Sequence, residues 1–383
     1  MQLLGESVVP ESARGIKAEA REFAAESIEP VAAEYHDSGE YPWEVLDAAR
    51  AAGLSAADIP ERYGGRGLSL HQSLAIVEEF FRADAGIGLT LQLSSFGAKI
   101  LVDHGTDEQC ERYLPPIANG EAITGLAVSE PQTGSDLAGM ETTARKDGDE
   151  YVLDGEKYWI GNGVEAEWLT VYAKTGDGED PHENYSMFVV PTDADGYHAE
   201  HVPEKMGFRA SKQAHVTFDG VRIPAENLIG REGEGFYMVA DFFNSGRVIV
   251  GGHGTGLAAA AIEEAEAFVS GRDAFDRQIS EFQAVRHSIA DMLTEFEAAR
   301  TLVWQAADRV AAGHRPGYWA AVAKMKATET ATECAEEAMQ LHGGRSMLLE
   351  NRITRIYRDV RAPVIYEGAS EIQRDLIYKQ APR

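Results

Sequence analysis

The hydrophobic pattern of this chain changes its period twice, and that constrains the fold more than any single motif. Between residues 12 and 121 apolar side chains recur every three or four positions. Ile16, Ala20, Phe23, Ala24, Ile28, Val31 and Ala32, for example, mark one face of an amphipathic helix over 13–36. Pro30 falls inside that pattern and is expected to kink it. From Ile123 the period drops to two. Short strands are expected at 123–129, 143–154 (a hairpin around Asp147-Gly148), 158–160, 168–174, 185–190, 197–202 and 214–218, separated by turns and not by helices. From about Gly233 the helical period returns, in long alanine-rich stretches over 237–270, 280–312 and 318–341. The chain therefore reads as α+β. An all-α domain is expected over 1–121, an antiparallel β-barrel or sandwich over 122–232 and a helical bundle over 233–383. The 383 residues suit two or three domains at roughly 150 residues each.

Charge narrows the partners. Sixty-three acidic residues face 35 basic ones, a formal net charge of -28, which disfavours nucleic acid and anionic membrane surfaces. The acid is scattered along helices instead of gathered in a tail, and arginine supplies most of the positive charge. That pattern suits a cytoplasm of very high salt, where screening over about 3 Å at 1 M removes self-repulsion. A halophilic protein is the expectation. No apolar run approaches the roughly 20 residues that span a bilayer, and the N-terminus shows neither a basic n-region nor an apolar core. A cytoplasmic location without membrane insertion is expected. Cys110 and Cys334 lie far apart without histidines at ligand spacing, so neither a metal site nor a disulfide framework is expected.

The strongest chemical candidate lies near the C-terminus, in Arg355-Ile-Tyr-Arg-Asp-Val-Arg-Ala-Pro-Val-Ile-Tyr-Glu367-Gly368-Ala369-Ser370-Glu371-Ile-Gln-Arg374. Pro363 stops a helix, and Val364 to Tyr366 are expected to run extended to Glu367. Gly368 permits a turn and Ala-Ser-Glu opens a new helix. A carboxylate on that loop, flanked by apolar residues, is a candidate general base, because partial desolvation raises its basicity. Elsewhere Gly254-Thr-Gly256 lies inside a helical stretch and follows no strand, so no dinucleotide-binding βαβ unit is expected there.

Ile365-Tyr-Glu-Gly-Ala-Ser-Glu-Ile-Gln-Arg374 resembles the C-terminal signature of the acyl-CoA dehydrogenases, and the resemblance runs over nearly the whole chain. It implies an N-terminal helical domain, a middle β domain and a C-terminal four-helix bundle, with FAD bound between the last two. It implies α,β-dehydrogenation of an acyl-CoA to the trans-2-enoyl-CoA in fatty acid β-oxidation. Glu367 removes the Cα proton, the Glu367 N–H and a ribityl hydroxyl polarise the thioester, and electrons pass to an electron-transfer flavoprotein. A homotetramer, a dimer of dimers, is implied as well. Leu126-Ala-Val128-Ser129-Glu-Pro-Gln-Thr-Gly134-Ser135-Asp is similar to the family's first signature, and Lys157-Tyr-Trp159-Ile160-Gly161-Asn-Gly to its tryptophan element; both imply flavin contacts. Gly161 stands where the family usually has Ser or Thr. Arg272, Phe275 and Gln283 match an element that grips the FAD pyrophosphate, often across subunits, with Asp276 in place of the usual Gly. Gln340, Gly343 and Gly344 match the adenosine-binding loop, followed here by Arg345-Ser346. Ala369 and Glu371 complete the implied cofactor set. The implied substrate contacts are Ser135, Asn244, Gly246, Arg247 and Gly368, with Leu89, Leu91, Ser94, Ser95 and Phe96 facing the acyl chain. Some members carry their base at the position of Gly246, which leaves Glu367 as the candidate. An oxidase of the same fold, or a non-catalytic acyl-CoA or flavin scaffold, would share these motifs.

Overall fold

The computed structural model describes residues 6–381. Seven helices form the N-terminal part: α1 (Glu11–Phe23), α2 (Ala32–Ser38), α3 (Trp43–Ala51), α4 (Leu70–Ala83), α5 (Ala85–Leu93), α6 (Ala98–His104) and α7 (Asp107–Ala118). Pro30 does what its missing N–H requires. A π turn over Ala24–Ile28 ends α1, and the chain restarts as α2. Ser69 and Thr106 close capping boxes at the starts of α4 and α7.

Eight strands follow: β1 (Thr124–Ala127), β2 (Thr143–Asp147), β3 (Glu150–Gly161), β4 (Trp168–Lys174), β5 (Tyr185–Pro191), β6 (Tyr197–His201), β7 (Gln213–Pro224) and β8 (Leu228–Ile229). Their order is β6-β7-β3-β2-β4-β5-β8, with β1 beside β4. The expected β part is present, with two differences of detail. The sheet is open, not a closed barrel, and it is not wholly antiparallel, since β4 pairs in parallel with both β1 and β2. The strand expected at 158–160 is the end of β3, which bulges between Tyr158 and Ile160 and throws Trp159 to a φ of 67°.

Three long helices, α8 (Gly235–Gly271), α9 (Gln283–Ala311) and α10 (Pro316–His342), pack on one another, and the short α11 (Arg352–Asp359) and α12 (Ser370–Gln380) pack on α10. Between α8 and α9 lies a small hairpin, β9 (Asp273–Ala274) and β10 (Arg277–Gln278), that the residue pattern did not suggest. Its turn residues Phe275 and Asp276 have φ of 55° and 61°. Such a two-residue turn favours Gly or Asp where φ is positive, which accounts for Asp276.

The parts are locked together at points of close backbone approach. Between α5 and α6 the chain passes β1 so tightly that a Cβ on Gly97 would stand 2.4 Å from the Gly125 carbonyl oxygen. Thr170 donates to the Gly97 carbonyl at 2.9 Å, and Asn162 Nδ2 donates to Leu93 O at 2.8 Å. Helices α4 and α8 pack along each other, so the N-terminal part and the bundle share one apolar core. Among the described residues no helix is long and apolar enough to cross a membrane, and no cluster of His, Cys, Asp or Glu could hold a metal.

Candidate active site

Glu367 lies in the connection between α11 and α12, which is built otherwise than expected. Residues 360–365 form successive turns, with Ile365 N and Tyr366 N both donating to the Ala362 carbonyl, so the segment is not extended. The apolar pair is not continuous either: Val364 is buried and Ile365 exposed. Glu367 itself has a φ of 51°, a conformation that non-glycine residues keep only when their surroundings hold them there.

What holds it is visible downstream. Buried Gln373 donates to the carbonyls of Glu367 and Gly368 at 3.2 and 2.7 Å, and Lys324 of α10 donates to the same Gly368 carbonyl. Arg247 of α8 reaches the Glu367 carbonyl at 3.4 Å. Gly368 has a φ of 91°, and a Cβ there would stand 2.5 Å from Gln373 Nε2. The backbone is thus over-determined, yet the side chain is left unpartnered. Glu367 Oε2 is shut from solvent with no hydrogen-bond partner among the described residues.

Opposite that oxygen is Gly246, where a Cβ would meet Oε2 at 2.5 Å. Any side chain at 246 would compete with the carboxylate for the same space. Gly246, Asn244 and Ile249 also line a cavity of 530 Å³ that runs between α4, α5 and α8, with Leu91, Gln92 and Phe96 on its other wall. Of the residues expected to face an acyl chain, Leu91, Ser95 and Phe96 line this cavity. Leu89 and Ser94 do not line it, and Ser94 is bonded to Ser55 Oγ at 2.7 Å.

The electrostatics follow from this geometry. Burial pushes Glu367 up from 4.5 to about 7, although the Lys324 and Arg247 charges pull the other way. Burial likewise pulls Lys324 down to about 8. A carboxylate poised near neutrality beside an apolar cavity suits proton abstraction from carbon.

The strand-end residues divide by burial. Leu126, Val128 and Ile160 are buried, so they can offer a ligand backbone and not side chains. Lys157, itself fully buried, donates to Val128 O and to Glu130 Oε1, both at 2.9 Å, and fixes the end of β1. Ser129 is half-buried and its carbonyl accepts from Tyr158 N at 2.8 Å, Gly134 and Ser135 are exposed, and Trp159, next along β3, is 59% exposed. A Cβ on Gly161 would stand 2.8 Å from Leu93 Cδ1, the tip of a side chain at the end of α5 that would have to shift.

The remaining motif residues are not brought to Glu367 by this chain. Gly246 and Arg272 are separated by 26 residues of continuous helix, about 39 Å at 1.5 Å per residue. Arg272, Gln283, Gln340, Gly343 and Gly344 are exposed, and Phe275 is 88% exposed. Gly343 and Gly344 leave their backbone open, with nothing within 4 Å of an added Cβ. Ala369 and Glu371 lie at the start of α12, beside the Glu367 loop. Sequence reading missed Lys324, Gln373, Gln92 and His253. A lysine and a histidine inside otherwise small, apolar helical stretches were the available signal.

Fold and site together define a protein of helical, β and helical parts in which an unpartnered carboxylate oxygen stands opposite a glycine that lines a cavity. The comparisons identify its kind. The acyl-CoA dehydrogenase N-terminal, middle and C-terminal domain families match residues 10–121, 125–221 and 233–381. The probable acyl-CoA dehydrogenase YngJ of Bacillus subtilis (strain 168) is 37% identical over 362 residues, 94% of this chain and 95% of that protein. Butyryl-CoA dehydrogenase from Megasphaera elsdenii superposes with a TM-score of 0.93 at 30% identity, covering 98% of this chain and 99% of that one. A chain in the structure reported for the electron transferring flavoprotein of Acidaminococcus fermentans gives 0.94 at 34% identity, with 98% of both chains covered. This chain belongs to the acyl-CoA dehydrogenase family, and its cofactor is FAD.

Proposed function

We propose that the protein catalyses α,β-dehydrogenation of an acyl-CoA thioester to the trans-2-enoyl-CoA, with Glu367 as the base. The observation that carries this is the unpartnered Oε2 of Glu367, enclosed opposite Gly246 at the edge of the cavity. The residues present fit FAD. Exposed Trp159 and the open backbone at Gly134 and Ser135 offer a face and donors for a planar ring, with Leu126, Val128, Ser129, Ile160, Gly161, Ala369 and Glu371 around it. FAD supplies the acceptor for the hydride that leaves Cβ.

The chain supplies the rest. Glu367 takes the Cα proton, in a cavity dry enough to keep its carboxylate basic. Its own N–H polarises the thioester oxygen, where negative charge develops. Asn244, Arg247, Gly368 and Ser135 hold the CoA thioester end, and Gly246 leaves the carboxylate its approach. Arg272, Phe275, Gln283, Gln340, Gly343 and Gly344 serve the FAD of a neighbouring subunit. The helix length that separates Arg272 from Gly246 supports that assignment, and the assembly we propose is a homotetramer built as a dimer of dimers.

The domain limits we infer are 1–121, 122–232 and 233–383. An electron-transfer flavoprotein takes the electrons, a reading favoured by the likeness to the Acidaminococcus fermentans structure. A role in fatty acid β-oxidation, in a salt-rich cytoplasm, agrees with the apolar cavity and the net charge of -28. The test is anaerobic titration of the flavin absorbance with acyl-CoAs of increasing length. Bleaching by at least one is expected, and no bleaching across the panel would overturn the activity. Oxygen consumption without added electron-transfer flavoprotein would instead mark an oxidase.

A further inference from the structure

His253 lies two helical turns beyond Gly246 on α8 and is completely buried. Its ring stacks flat on Phe81, with centroids 3.8 Å apart and planes at 3°. Nδ1 is 2.7 Å from the Tyr366 hydroxyl and Nε2 is 2.5 Å from Gln92 Oε1. The two bonds fix the tautomer. The Tyr366 hydroxyl has no other acceptor among the described residues, so it donates to Nδ1, and Nε2–H donates to Gln92. Burial and the nearby Lys324 charge keep the ring neutral.

Each end of this chain of bonds reaches the site. Tyr366 is the residue before Glu367, and Gln92 lines the cavity. On the carbonyl side, the strained Glu367 backbone is held by Gln373, Lys324 and Arg247. Upstream, it is held through Tyr366, whose ring meets Phe208 edge-on and whose hydroxyl goes to His253. We infer that His253 is a positioning residue, which through Tyr366 sets the direction of the Glu367 carboxylate and through Gln92 ties that direction to the cavity wall. The inference rests on Glu367 being the base. Removing one side-chain bond from a pre-organised site costs rate because the reacting groups leave their productive geometry.

The experiment measures anaerobic flavin reduction by acyl-CoA in the FAD-loaded protein. Tyr366→Phe deletes one oxygen, keeps the ring, and keeps the test valid should a His253 variant fail to fold. Tyr366→Phe and His253→Leu are each expected to slow reduction at saturating acyl-CoA about tenfold, with KM changed less than about twofold. The double variant should be no slower than the slower single one, since both break the same connection. His253→Gln, which can still accept and donate, should recover most of the rate. A Tyr366→Phe rate within about twofold of the parent, losses that multiply in the double variant, or no recovery in His253→Gln would each overturn the inference. Glu367→Gln, measured alongside, separates the failures. If it still reduces the flavin, the base assignment falls. If it is inert while Tyr366→Phe is normal, only the positioning role falls.

Discussion

Glu78 on α4 and Glu367 are both enclosed glutamates beside α8, and their surroundings have opposite effects. Glu78 accepts from Lys17 at 2.5 Å, from Arg300 at 2.9 and 3.0 Å, and from Thr255 at 2.9 Å. Burial alone would raise its pKa, but the Lys17 and Arg300 charges outweigh burial and hold it far below the usual range. Glu367 also has two cations nearby. There Lys324 and Arg247 give their hydrogen bonds to backbone carbonyls, and the carboxylate is left with only their distant fields. A cation stabilises a buried carboxylate strongly only when it also hydrogen-bonds to it. One glutamate is therefore a fixed anion that ties α1, α4 and α9 together, and the other is a carboxyl group poised near neutrality.

The most severe way to break the contrast is to neutralise both groups. Glu367→Gln should lower the rate of flavin reduction by at least about 10²–10⁴-fold while FAD stays bound, as stopped-flow absorbance would show. It should also stabilise the protein in alkali. With Glu367 raised to about 7 from 4.5, the native state binds the proton more tightly than the unfolded chain. Parent stability thus falls as pH rises from 4.5 to about 7, and the Gln variant loses that decline. Glu78→Ala should do the reverse: activity per folded molecule persists, while urea midpoints fall by the equivalent of about 3–5 kcal/mol, because buried Lys17 and Arg300 both lose the carboxylate they share. Glu78 is depressed, so its contribution is present above the unfolded value near 4.5 and is lost as pH falls below it.

The two glutamates were not equally legible in the sequence. Glu367 could be found because its neighbours Gly368, Pro363 and Tyr366 carry local turn chemistry and a family signature. Even so, local reasoning placed Val364 and Ile365 in an extended run, whereas turns close over Ala362. Glu78 could not be found. Its partners are 61, 177 and 222 positions away, and nothing in a helix repeat says which charged residue faces inward. The same limit applied to the β part. Alternation of apolar residues placed most strands, yet it could not reveal that β4 pairs in parallel with β1, because strand direction depends on how the chain returns. The hairpin at 273–278 is too short for any periodic signal.

A subtler intervention is steric. Gly246→Ala adds a Cβ that would stand 2.5 Å from Glu367 Oε2, which displaces the carboxylate without altering its charge. Reduction should slow about tenfold, since roughly an ångström of misplacement costs up to about a hundredfold. Glu78 and the melting temperature in acid should be unaffected. Equal rates in Gly246→Ala and parent would mean that the carboxylate swings away from Gly246 before it reacts.

The smallest effect sharpens the comparison most, because it measures the distant field by itself. Lys324 lowers the Glu367 pKa, and Lys324→Met removes that charge. The reduction rate of the parent should rise with pH through about 7, where Glu367 loses its proton. In Lys324→Met the rising limb should move up by about one pH unit, at the low end of what a nearby opposite charge produces. A similar Met replacement at Lys17 should leave that limb in place, since its charge acts on Glu78 and Glu79 through direct bonds of 2.5 and 2.6 Å. A limb that stays fixed in Lys324→Met would mean that desolvation alone sets the basicity of Glu367, and that the lysine serves only to hold the Gly368 carbonyl.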